Sequence, residues 1–210
     1  MKRLIIAAAL VSIALFGSMA LAVPPGVPGE NVLGIYSASD GSGFAHLGTG
    51  TTPVVGPQPV YLMATGLTDP SGISGWECHV IIPPEAATTL YYTGQVYSGQ
   101  AINVATAPDF AVGLAASLLP TADDYILLAT LNFLVSAPTV VACLKLEPTT
   151  IPSIPNSMVY ALGSDPGQLR AFAWNTPGEE TGEVFCFNRL PDPTIAVETE
   201  TWGAVKNLYR

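Results

Sequence analysis

Sixteen carboxylates, two histidines and three cysteines are the side chains in this 210-residue chain that could do acid–base, metal or redox chemistry. Their spacing matches no catalytic constellation. A serine nucleophile on an elbow needs G-x-S-x-G between a strand and a helix, and that pattern does not occur. Asp40-Gly41-Ser42-Gly43 has the wrong order for an aspartic-protease loop, and it has no second copy. His46 and His79 belong to neither H-x-x-x-H nor H-E-x-x-H, so neither carries metal information. Cys78 and His79 are neighbours, and neighbours on a strand point to opposite faces, which rules out a direct Cys–His pair. No Gly-rich stretch opens a helix as a phosphate cradle requires. No residue is assigned a catalytic role, and the chain is read as a non-enzyme.

Two binding chemistries have candidates. Secreted sandwiches hold calcium through loop oxygens drawn from distant turns, and Asp40, Asp123, Asp124 and Asp165 are loop acids that could contribute. None falls in an EF-hand spacing, and no other cofactor is implied. Sugar-binding sandwiches stack flat rings against pyranoses, and Tyr91, Tyr92, Tyr97 and Trp174 lie near strand ends where such a platform could form. Core packing is the competing use of those rings. Glu179, Glu180 and Glu183 read as a solvated turn.

The cysteines bear on compartment. Cys78, Cys143 and Cys186 include no CxxC spacing, so zinc and thioredoxin-type chemistry lack support. In an oxidising compartment two of the three pair and one is left over, and the sequence leaves the pairing open. Residues 1–22 predict such a compartment. Lys2 and Arg3 precede an uncharged apolar run from Leu4 to Phe16, and Ala20-Leu21-Ala22 fits the cleavage pattern of an export signal. The run is too short for a spanning helix, which needs roughly 20 apolar residues, and no second run replaces it. The expectation is an extracytoplasmic protein, secreted, periplasmic or at the cell surface, with no transmembrane anchor after cleavage.

Loss of the signal removes two of the seven basic residues and takes the formal net charge from −9 to −11. Such a surface repels phosphate backbones and anionic lipid, which argues against nucleic-acid partners. Charged residues make up 11% of the chain, against roughly 25% in ordinary soluble domains, so Thr, Ser, Gly, Pro and Asn supply most of the polar surface. That balance is common in secreted β-sandwiches.

The elements that must position these groups are short. Pro24 to Gly29 belongs to a stiff leader over residues 23–30, and one domain over residues 31–200 follows. Runs of β-formers are separated by Gly, Pro, Asp and Asn clusters. Val32–Ser37, Val60–Thr65 and Trp76–Ile82 predict the first strands, with a long loop from Asp40 to Pro57 between the first two. In the third, Trp76, Cys78, Val80 and Ile82 share one face, while Glu77 and His79 share the other. Thr88–Thr93 and Phe110–Leu118 are weaker runs. Tyr125–Val135 alternates so that Leu127, Ala129, Leu131, Phe133 and Val135 face one side, which predicts a central strand rather than a helix. Val140–Leu146 places Val140, Ala142, Leu144 and Leu146 opposite Cys143 and Lys145. Met158–Leu162, Leu169–Trp174, Val184–Phe187 and Thr194–Val197 complete the set. Residues 201–210 form a terminal segment with helical spacing of Trp202, Val205 and Tyr209, expected to dock on the domain.

Two of these runs carry a resemblance. Ser71-Gly72-Ile73-Ser74-Gly75-Trp76-Glu77-Cys78-His79-Val80 resembles the core strand of cohesin-like domains that opens on a hydrophobic–Ser–Gly–aromatic run. Leu127-Leu128-Ala129-Thr130-Leu131-Asn132-Phe133-Leu134-Val135 resembles a later strand of the same domains, in the same order and at a similar separation. The likeness implies an all-β, cohesin-like or carbohydrate-binding-type jelly roll of two antiparallel sheets. The Asp40–Pro57 loop and the strands after Leu146 depart from the simplest cohesin pattern, so dockerin binding is not carried over. Thr201-Trp202-Gly203-Ala204-Val205-Lys206-Asn207-Leu208-Tyr209-Arg210 is similar to the endings of uncharacterised secreted proteins from environmental bacteria, and it brings no activity with it.

The reading that results is a non-enzymatic extracellular domain that binds another protein or assembles at the cell surface. A carbohydrate-binding module acting on a polysaccharide is the alternative, and a secreted hydrolase is the third. A protein-binding domain of this class should show a flat sheet face or an exposed edge strand with apolar patches.

Overall fold

Period-two alternation sends every second side chain of a strand into the space between two sheets, and the strands follow those runs. The computed structural model describes residues 30–40, 46–49, 53–138, 141–174 and 183–189. Its elements in chain order are β1 (Val32–Tyr36), β2 (His46–Thr49), β3 (Gly56–Thr65), β4 (Ile73–Ile81), β5 (Leu90–Tyr97), β6 (Ala101–Asn103) and β7 (Asp109–Leu118). Then come β8 (Tyr125–Val135), β9 (Ala142–Glu147), β10 (Val159–Leu162), β11 (Leu169–Ala171), β12 (Ala173–Trp174) and β13 (Glu183–Arg189). Strands make up 56% of the structure and helix 1%, so the expected all-β sandwich is the observed fold.

One sheet runs β12-β1-β3-β8-β5. The other follows β11-β10-β4-β9-β13-β2, and β7 and β6 extend it from the opposite edge of β4. Pairing is antiparallel except where β1 meets β12 and where β13 meets β2. Strand β4 is the hub. Along one edge it pairs first with β10 and then with β9, and along the other with β7.

The interlayer is filled from both sides. Leu33, Ile35, Leu62, Leu131 and Phe133 of the first sheet meet Trp76, Cys78, Phe110, Leu144 and Phe187 of the second, all fully or almost fully buried. The Trp76 ring lies 5.5 Å from that of Phe110 and 6.3 Å from that of Tyr97. Each large apolar side chain buried in this way stabilises the fold by about 1.5–3 kcal/mol before entropy is charged against it. Trp76, Cys78 and Val80 take the core face of β4 and His79 the opposite one, as their alternation predicts.

Strand β8 departs from simple alternation. Its register with β3 slips between Leu62 and Met63, so Leu128 and Ala129 are both buried, with Ile126 before them and Leu131, Phe133 and Val135 after. An extra residue in one strand reverses the phase beyond it, which leaves Leu127 half-buried rather than in line with Ala129. Strands β2 and β6 fall where the sequence reads as loop. Thr194–Val197 and the expected helix over 201–210 lie outside the described residues, as does the export segment.

Cys143 and Cys186 are register partners on β9 and β13, with Cα atoms 4.0 Å apart, and they form a disulfide. Cys78 is the free thiol, sealed in the core. Close packing of backbone also fixes Gly72: a Cβ there, at φ +83°, would stand 2.0 Å from the carbonyl oxygen of Leu118.

Candidate functional site

The four aromatic candidates are not brought together. Tyr91 is exposed on the outer face of β5, its hydroxyl donating to the Thr88 carbonyl at 2.7 Å. Tyr92 and Tyr97 turn inward on the same strand. The Tyr92 hydroxyl donates to Gln95 Oε1, and Gln95 Nε2 donates to the Tyr97 oxygen at 2.9 Å. Burial pushes both phenols above the usual tyrosine range. Trp174 belongs to β12, at the opposite edge of the sheet from β5. Four strand spacings of ~4.8 Å put about 19 Å between those edges, beyond the reach of one ring platform.

The four loop acids are also dispersed. Asp40 follows β1, Asp123 and Asp124 form the turn before β8, and Asp165 lies in the β10–β11 turn. Asp165 uses its carboxylate locally, accepting from the Gly167 N–H at 3.1 Å and from Gln168 Nε2 at 3.0 Å. Among the described residues no group of three or more His, Cys, Asp or Glu side chains is placed to hold a metal ion. In the same loop region the Asp69 carboxylate accepts from the Ser71 N–H at 2.8 Å and from Ser164 Oγ at 3.2 Å, and the hydrogen bonds from Ser71 hold its carboxyl below the usual range.

What the fold does assemble lies on the outer face of the second sheet. Residues directly opposite in a ladder share a face, so the registers can be read across the sheet as rows. One row runs Ile102, Gly113, Gly75, Ala161, Leu169 over β6, β7, β4, β10 and β11. Its middle three positions carry a methyl group or nothing, and this makes the floor of a groove of about 700 Å³. Gly75 is dictated by the backbone: a Cβ there would stand 2.9 Å from the Val112 carbonyl oxygen. Gly113 has open space above it, which is the groove itself. The wall on the β6 side is formed by Ile102 and Val104, 72% and 82% exposed.

The next row is Ala111, Glu77, Val159, and the row beyond it is Asp109, His79, Glu147 over β7, β4 and β9. Glu77 is held by Ser153, whose N–H donates at 2.9 Å and whose hydroxyl donates to the other carboxylate oxygen. A second cavity of about 590 Å³ continues the groove here, sharing Val104 and Ala111 with it. His79, Asp109, Thr149 and Ile151 line it. Asp109 Oδ2 accepts from the Thr150 N–H at 3.3 Å, while Asp109 Oδ1 and Thr149 Oγ1 are buried without a hydrogen-bond partner.

The outer face therefore offers an apolar trough that becomes acidic along β4. Cys78, two positions from Trp76, faces the core, where burial and then the nearby Asp109 charge push its thiol far above the range in which it could ionise. The alternation of β4 puts Glu77 and His79 on the non-core face, yet their register partners Ala111, Val159, Asp109 and Glu147 come from strands whose pairing only the fold supplies. No protein-family model, curated protein or solved structure matches this chain.

Proposed function

We propose that this chain is an exported, non-enzymatic β-sandwich that binds a partner protein on the outer face of its β4-centred sheet. The occupant is an extended segment of that partner with small apolar side chains beside basic ones. The observation that carries the reading is the groove floored by Gly113, Gly75 and Ala161 and walled by the exposed Ile102 and Val104. Exposed aliphatic side chains lining a concave sheet face cost nothing when a partner covers them and invite one when uncovered. Charge complementarity supports the basic partner: the whole chain carries −9, and Glu77, Asp109 and Glu147 stand where the trough turns polar. The disulfide agrees with an oxidising compartment, and no helix of the described residues is long and apolar enough to cross a membrane. The likeness to cohesin-like strands fits a protein-binding role for such a sandwich. Nothing in the described residues favours a polysaccharide platform, since Tyr91 is the one exposed ring among the described aromatic side chains.

Panning a displayed library of unstructured peptides against the full chain tests this. Gly113→Val fills the groove from its floor and serves as the counter-screen. Enrichment of apolar-and-basic peptides that bind the parent at least tenfold better than the variant is the expected result. Peptides that bind both proteins alike would place recognition elsewhere, and failure to enrich any would remove the reading.

A further inference from the structure

The acidic end of the trough has a more specific chemistry. Asp109 commits Oδ2 to the Thr150 N–H and leaves Oδ1 without a partner. Thr149, 6% exposed, lines the same cavity with an unpartnered hydroxyl. A buried carboxylate oxygen and a buried hydroxyl without donors cost about 1–3 kcal/mol each unless something supplies a proton to them. The walls on the way in are apolar: Val104, Pro108, Ala111 and Ile151. His79 and Glu147 complete the row, an imidazole between two carboxylates. Among the described residues, the lysine that the registers put on this face, Lys145, sits one row further on, opposite Ile81 and Glu183.

We propose that this cavity is a lysine pocket, which takes one lysine side chain of the partner segment seated in the neighbouring groove. It rests on the groove reading above for its occupant. The methylenes lie along Val104, Pro108 and Ile151, and the ammonium donates to Asp109 Oδ1 and Thr149 Oγ1 after a small rotation of each side chain. Lysine fits better than arginine for a geometric reason. A guanidinium needs two carboxylate oxygens side by side to use its fork, and here one of the two is already engaged. A compact ammonium with three rotatable donors suits two separate point acceptors.

Backbone-amide NMR titrations of the full chain with three probes test the pocket. These are n-butylammonium alone, an acetylated and amidated Val-Ala-Lys-Ala-Val peptide, and the same peptide with norleucine in place of lysine. We expect n-butylammonium to shift the Asp109, Thr149 and Thr150 amides and to saturate on the order of millimolar, weak binding suited to so small a probe. The lysine peptide should bind about tenfold more tightly than the norleucine peptide, the gain of a charge-assisted hydrogen bond. Asp109→Asn keeps the shape and the Thr150 bond, and should abolish the preference for lysine over norleucine. Thr149→Val should reduce it in part. Equal binding of the two peptides at the groove, with no n-butylammonium shifts, would overturn the lysine pocket and leave the groove reading intact. Shifts from n-butylammonium without binding of either peptide would overturn the groove and this partner assignment while retaining an ammonium site. Silence from all three probes would overturn both.

Discussion

The Tyr160 hydroxyl donates a 2.6 Å hydrogen bond to Asn31 Oδ1, joining two residues 129 positions apart. The same oxygen accepts from the Thr68 N–H at 3.0 Å and from Thr68 Oγ1 at 3.1 Å, while the Asn31 N–H reaches the Gly66 carbonyl at 2.7 Å. The Asn31 carbonyl in turn accepts from the Ala173 N–H at 2.9 Å. One asparagine thus ties the entry to β1 to the β3–β4 loop, to β10 and to β12. Its φ of 51° is tolerated because asparagine adopts the left-handed region more easily than other side-chain-bearing residues.

Removal of this knot should be costly, and most of the cost should reside in Asn31. Tyr160→Phe deletes one of three donors to an oxygen that stays satisfied, and should lose about 1 kcal/mol. Asn31→Ala strands the Thr68 and Tyr160 donors and puts alanine at a positive φ, for a loss of about 3 kcal/mol. Urea unfolding of the two variants measures both. Equal losses would mean that Asn31 acts through Tyr160 alone.

The two kinds of cysteine should separate cleanly. Cys78 should be silent to a thiol reagent in the native protein and react stoichiometrically after denaturation, because burial raises its thiol pKa and hides the sulfur. The Cys143–Cys186 bridge spans 43 positions, so replacing both cysteines with alanine should destabilise the fold by about 4 kcal/mol through the freed unfolded chain. Mass-resolved labelling and urea titration read the two effects. Native labelling of Cys78 would contradict its placement in the interlayer.

Two glycines in one row should respond in opposite ways. Gly75→Ala forces a Cβ against the Val112 carbonyl at 2.9 Å and should cost about 1–3 kcal/mol. Gly113→Val meets open space on a strand, where a β-branched residue is favoured, and should be neutral or stabilising by about 0.5–1 kcal/mol. Thermal unfolding of the pair decides whether the groove floor is shaped by backbone contact at one position and left open at the other.

Asp69 should give the fold an acid-sensitive margin. Its carboxyl is lowered by the bonds from Ser71, so the charged form is favoured in the folded state. That contribution is complete above the unfolded carboxyl pKa of about 3.9 and is lost as pH falls through the lower folded value. Asp69→Asn should therefore be less stable than the parent at neutral pH and converge with it in strong acid, in urea midpoints taken across that range. A gap that stays constant with pH would assign the effect to packing instead.

The core was legible in the sequence wherever alternation ran undisturbed. Trp76, Cys78 and Val80 on one face of β4, and Ala142, Leu144 and Leu146 on one face of β9, are where their spacing put them. Leu127 was not, because a bulge is an event between two strands and leaves no mark in one. The candidate site was legible only by halves. His79 reads as outward-facing from β4 alone, but the residues beside it are set by which strands pair and in what register. The aromatic set failed to converge for the same reason: Tyr91 and Trp174 lie at strand ends in the sequence and at opposite edges of a sheet in space.

The two parallel pairings have a consequence for the order in which the sheets are completed. Val32 lies opposite Ala173, and Cys186 opposite His46, so each sheet borrows a late strand to hold an early one. Contacts across such sequence distances form slowly, and they cannot form at all until the last strands have left the ribosome. Pairings such as β1 with β3 and β4 with β7 need only strands made earlier, so each sheet is built from its middle and gains its parallel edge last.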